Sequence, residues 1–196
     1  MTNKPFSEVI ESSLYHWLIQ SWDWDTAPAF GSLITIDQGP VSLCGVVYQV
    51  QTGSSDPIRY PFPYKKTLDE LKAEQPQIFE FLKTTFSCVP IGYFDKGKPC
   101  YLLPEQPPLI HSFGTMMSDE KTKDFLYQDG YLHVLFAVAN QIPNLDELLL
   151  ALIKQQAHLG IMTHERIIRF TDTYSLLIGN DYRRLKLFLK RVERII

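Results

Sequence analysis

Beyond Pro108 the chain has a single proline, Pro143, although it carries 13 in all. Cysteine is scarcer still. Cys44, Cys88 and Cys100 are odd in number and lack Cys-x-x-Cys spacing, which argues against a disulfide scaffold and for reduced, mostly buried thiols in a reducing compartment. No stretch approaches the roughly 18 uncharged apolar residues that a membrane helix needs. The opening residues, Met1 to Glu11, contain no continuous apolar run, so no signal peptide is expected. Together these absences predict a cytoplasmic protein that makes no use of a membrane.

The chain has 196 residues, 45% hydrophobic and 21% charged, an ordinary globular composition with enough length for a real core. Its net charge of −3 gives no general reason to expect a polyanion-binding surface. The average hides a tilt. Residues 1–113 carry 8 basic and 12 acidic side chains and residues 114–196 carry 11 and 10, so any nucleic-acid partner would belong to the second part.

The proline distribution separates two textures. Up to residue 113, short β-branched and aromatic runs are punctuated by Gly and Pro; from residue 114, apolar residues recur at helical spacing. The expected fold is therefore α+β: a small antiparallel β-barrel with an inserted helix over 1–113, followed by a helical domain of about four helices over 114–196.

Phe6–Gln20 alternates as a strand or long hairpin, and Phe30–Ile36 reads as a strand closed by a turn at Asp37–Pro40. Leu43–Gln51 is the clearest strand, with Gly45 marking a bulge or a close backbone approach. After an irregular loop, Thr67 and Glu70 form a capping box that starts a helix, and Pro76 must interrupt it. Leu68, Leu71, Ile78, Phe79 and Leu82 are its expected buried stripe. Cys88–Phe94 and Cys100–Leu103 are two more strands, and Pro104–Pro108 an extended strap. Ser118, Asn144 and Thr163 then start helices, and Asn180 or Asp181 starts the last. The first runs to Asn140 or breaks at Gly130.

The runs Phe30-Gly31-Ser32-Leu33-Ile34 and Cys44-Gly45-Val46-Val47-Tyr48-Gln49-Val50 resemble the HAS barrel. That barrel is shared by the N-terminal domains of ATP synthase catalytic-core subunits and of HerA-type DNA-translocating ATPases. Glu74–Phe79 and the strap Pro104–His111 resemble a stand-alone group that pairs such a barrel with a helical tail. In the ATPases the barrel precedes a motor with a GxxxxGK[ST] loop. Here no Gly-Lys-Ser or Gly-Lys-Thr occurs, and Gly97-Lys98 is followed by Pro99. The resemblance thus implies a fold and an assembly role without ATP hydrolysis.

No catalytic, metal or cofactor signature is present. The five histidines form neither HxH nor HExxH, and Asp23 and Asp25, between tryptophans, read as a solvated edge. Two groups are candidates for partner binding. Trp22, Trp24 and Tyr60, with Phe62 and Tyr64, are aromatic residues in loops, able to anchor a partner or to plug a barrel end. Arg183, Arg184 and Arg191 belong to a terminal segment, 181–196, with six cations against two acids. Such a helix can present a solvated face, contact an acidic protein surface or neutralise phosphates. The expected function is a non-enzymatic interaction or assembly module, binding a protein partner or itself; the alternative is a nucleic-acid-associated accessory protein.

Overall fold

A computed structural model describes residues 4–56, 58 and 61–195. It confirms a mixed α+β chain around a closed antiparallel barrel of six strands. These are β1 (Ser7–Ser12), β2 (Trp17–Ser21), β3 (Leu33–Gln38), β4 (Val41–Ser54), β5 (Leu82–Asp95) and β7 (Phe113–Met116). Their order is β2-β1-β7-β3-β4-β5, and β2 pairs with β5 to close the ring. A short strand, β6 (Lys98–Cys100), pairs with the end of β5 outside that ring. It shares only Cys100 with the Cys100–Leu103 strand expected there, because the turn is tighter than Asp95–Pro99 and pairing resumes at Lys98. Its hairpin turns at Lys96 and Gly97, both at positive φ, as a two-residue type I′ turn requires.

Closure depends on a strand that the sequence did not announce. β7 bridges β1 and β3, with Gly114 opposite both Ser7 and Ile36. The expected division between residues 113 and 114 falls inside it. Between β6 and β7 the proline strap crosses the barrel with Pro104 and Pro108 buried.

Alternation along the strands separates two cores. Val9, Trp17, Ile19, Ile34, Ile36, Val47 and Phe86 point inward and fill the barrel. Leu33, Cys44, Val46, Val89 and Ile91 point outward from β3, β4 and β5. Strands buried on both faces read as continuous apolar runs, which accounts for the texture of Cys44–Val47. Gly45 sits at a register shift in β4, where a Cβ would lie 2.5 Å from Trp17 Cζ3. The bulge and the close approach inferred from this glycine are therefore both present.

Helices cover the outward face: α2 (Asp119–Leu126), α3 (Gly130–Ala137), α4 (Leu145–His158), α5 (His164–Leu177) and α6 (Tyr182–Val192). Ser118, Asn144, Thr163 and Asp181 each accept a bond from the backbone N–H three residues on. The chain breaks between α2 and α3, and Gly130, the first residue of α3, packs directly against the Tyr101 ring, where a Cβ would not fit. Leu145, Leu148, Leu149, Leu152 and Ile153 of α4 are all buried, in one core with the barrel's outer wall. Each such side chain contributes about 1.5–3 kcal/mol on burial.

Arg166 of α5 is buried as well. Its guanidinium donates to the Leu126 and Tyr127 carbonyls at the end of α2 and to Gln156, and pairs with Asp129 at 3.2 Å. It thereby satisfies helix-end carbonyls that would otherwise be desolvated and unpaired. Burial pushes the Asp129 carboxyl up, while Arg166 and Arg169 pull it down. No helix among the described residues is long and apolar enough to cross a membrane.

Candidate interaction surface

The β4–β5 ribbon outgrows the barrel. Its two strands stay paired from Val41 and Asp95 out to Ser54 and Leu82, and the connection at the far end carries α1 (Leu68–Glu74) and a 3-10 turn, Pro76–Phe81. None of the residues in these two elements is buried. The segment is nonetheless ordered by its own bonds. Thr67 Oγ1 accepts from the Glu70 N–H, and the Thr67 N–H donates back to Glu70 Oε2 at 2.7 Å. Pro76 ends α1 as required, and the Ser55 N–H donates to the Phe81 carbonyl at 2.7 Å to close the flap's base.

This frame displays apolar side chains. Ile58 is 90% exposed, Phe62 63% and Leu68 50%. Phe62, Tyr64, Leu71, Ile78, Phe79 and Phe81 line a groove of about 600 Å³, with Phe62 and Tyr64 rings 4.3 Å apart. No charged side chain lines it among the described residues; its polar lining is Ser54, Gln77 and the Tyr64 hydroxyl. The stripe expected to be buried, Leu68 to Leu82, therefore faces outward or only half inward. A seven-residue helix on a ribbon tip has no second layer to pack against.

The candidate aromatic residues part company. Trp24 stacks on Phe79 at 5.3 Å, with Lys72 Nζ 5.9 Å above its ring. Its carbonyl accepts from Thr84 Oγ1, and Lys72 lies 3.9 Å from Asp25. Trp24 thus buttresses the flap from behind. Trp22 lies on the barrel wall, 53% exposed, edge-on to Phe113 at 5.4 Å. Tyr60 lies outside the described residues.

The candidate arginines also divide. Arg184 binds Asp146 at 2.7 Å and Arg191 binds Glu147 at 2.6 Å, both acids in the first turn of α4. The Asp146 bond, opposed by partial burial, raises the Arg184 pKa above its ordinary value. Two of the cations thus bind a protein face, and that face is this chain's own helix. Arg183 is exposed and has no ion partner among the described residues.

Elsewhere, His111 Nδ1 is 2.5 Å from Glu8 Oε1, and His16 lies edge-on to Tyr48. Asp23 and Asp25 are exposed. No group of three or more His, Cys, Asp or Glu among the described residues is placed to hold a metal ion. Ile78 and Phe79, expected in a buried stripe, are half-buried along the groove, and exposed Phe113 and Phe81 carry no signal that singles them out in the sequence. Neither protein-family models nor curated proteins yield a match to this chain.

Proposed function

We propose that the chain is a non-enzymatic interaction module built on a HAS-type barrel, with the inserted helix as a docking flap and helices α2–α6 as its brace. The occupant of the flap groove is an apolar segment of a protein partner or of a second copy. The observation that carries this reading is the groove itself, about 600 Å³ and free of charged lining among the described residues, held out from the body on an ordered ribbon. A core-forming segment would be buried, and a solvated one would carry polar side chains. Contiguous exposed aromatic and aliphatic residues mark a surface that another surface covers. Such side chains are the anchors on which most binding energy concentrates.

The HAS-type assignment draws support from the two glycines in the runs that resemble that barrel. A Cβ on Gly31, at φ +83, would meet Ala151 Cβ of α4 at 2.6 Å, and one on Gly45 would meet Trp17. Both therefore occupy positions that their close packing reserves for glycine.

Affinity purification of the tagged chain tests this reading, run beside the variant Phe62→Ser/Ile78→Ser. The wild type should retain a protein or elute as a stable oligomer. The variant should lose that association at an unchanged melting temperature. A wild type that is monomeric at micromolar concentration and retains no protein contradicts the proposal.

A further inference from the structure

We infer that the outward face of α6 binds the backbone of single-stranded nucleic acid. Arg184 and Arg191 reach across to Asp146 and Glu147 of α4 and fix the helix's rotation. Phe188 and Val192 pack into the core beside them. That rotation leaves Arg183, Lys186 and Lys190, at i, i+3 and i+7, on the opposite face, with Arg194 in the turn that follows. All four are exposed and none has an ion partner among the described residues. The row from Arg183 to Arg194 spans about 16 Å at helical rise. Glu193 is the acid on that side; Asp181 is engaged as the helix cap, accepting from the Arg184 N–H at 3.0 Å.

Charge complementarity selects the occupant. Four cations in a row, none ion-paired among the described residues and with one acid beside them, match a strand of regularly repeating phosphates, where each neutralised phosphate releases a counterion. Tyr182 stands beside Arg183, is 72% exposed, and its ring is free of any ring contact among the described residues. An unpaired base can stack on such a ring, and a duplex cannot offer one. An anionic membrane fits less well: a helix lying in a bilayer surface buries its apolar face in lipid, and here Phe188 and Val192 are committed to the core. An acidic protein could also use the Tyr182 ring as an anchor, and the polyglutamate arm of the test below separates that occupant from a nucleic-acid strand. The inference stands apart from the flap groove, which shares no residue with it.

Fluorescence anisotropy of an oligothymidylate of about 20 nucleotides, longer than one binding footprint, tests it on the full chain. Affinity should fall with salt at a log–log slope of about −2 to −3, as expected for up to four phosphates on a single strand. Arg183→Ala/Lys186→Ala/Lys190→Ala should bring the slope to about −1 or flatter. Tyr182→Ala should weaken binding about tenfold with the slope unchanged. All these side chains are exposed, so circular dichroism and melting should match the wild type. No binding at low salt overturns the inference. So does equal binding to duplex or to polyglutamate, or binding to phosphatidylserine vesicles without binding to the oligonucleotide.

Discussion

Arg184 grips Asp146 with two bonds, Nε to Oδ2 at 3.3 Å and Nη2 to Oδ1 at 2.7 Å. Tyr174 donates to the same carboxylate at 3.1 Å, so α4, α5 and α6 meet at one side chain. Asp146 lies in the first turn of α4, where the helix dipole also favours its charge.

Replacing Asp146 with Asn should therefore loosen α6 before it unfolds the chain. A charge-assisted bond contributes about 1.5–3 kcal/mol, and partial exposure reduces this to about 1 kcal/mol of global stability. Urea denaturation reads the loss, and hydrogen exchange should localise faster opening to α6. Unchanged exchange in α6 would count against its anchoring by this bond.

Gly45 and Gly53 both lie in β4 and make opposite predictions. A methyl group on Gly45 would run into Trp17, so Gly45→Ala should lose about 1–3 kcal/mol by overpacking. Nothing lies within 4 Å of a Cβ on Gly53, and its φ is negative. Gly53→Ala should be neutral or gain up to about 1 kcal/mol. Parallel thermal melts compare them; equal effects would refute the close packing of Gly45.

Thr67→Ala removes one half of the capping box. It should cost α1 about 1 kcal/mol and show as faster amide exchange in the flap, with the barrel's unfolding midpoint unmoved. A matching fall in global stability would mean that the flap and the barrel unfold as one unit.

Alkaline pH gives a further test. Burial raises the phenol of Tyr101 from 10.0 to about 12, and raises those of Tyr131 and Tyr174 as well. Between these values the unfolded chain has lost protons that the folded chain keeps. Stability is thus fully present below pH 10 and falls as pH rises toward 12. Phenolate absorbance should show a group of tyrosines that ionise only as the chain unfolds. Titration of every tyrosine near pH 10 in the native state would contradict their burial.

The helix starts were legible because capping is settled within three residues: Thr67 with Glu70, Asn144 with Glu147 and Asp181 with Arg184 each signal locally. Gly45 was legible for a similar reason, a glycine inside an otherwise β-branched run. β7 was not, since four residues with a central glycine form a strand only because β1 and β3 leave a gap for it. Arg166 was equally hidden, because its partners lie at the end of α2, at the residue before α3 and on α4. The flap misled for a physical reason. The spacing of Leu68, Leu71, Ile78 and Phe79 shows that they share a face, and only the tertiary structure decides what, if anything, covers it. Of the candidate site, Trp24 was found for a role other than the one expected, and Phe113 was not found at all.

Photo-crosslinking from the groove is the most direct check on its use as a docking surface. A benzophenone amino acid in place of Phe62, compared with one at exposed Glu165 on α5, should give an adduct of defined mass from position 62 alone. That adduct would contain a protein partner or a second copy of the chain. No adduct from position 62, or equal yield from both positions, would show that the groove docks nothing and would contradict the proposed function.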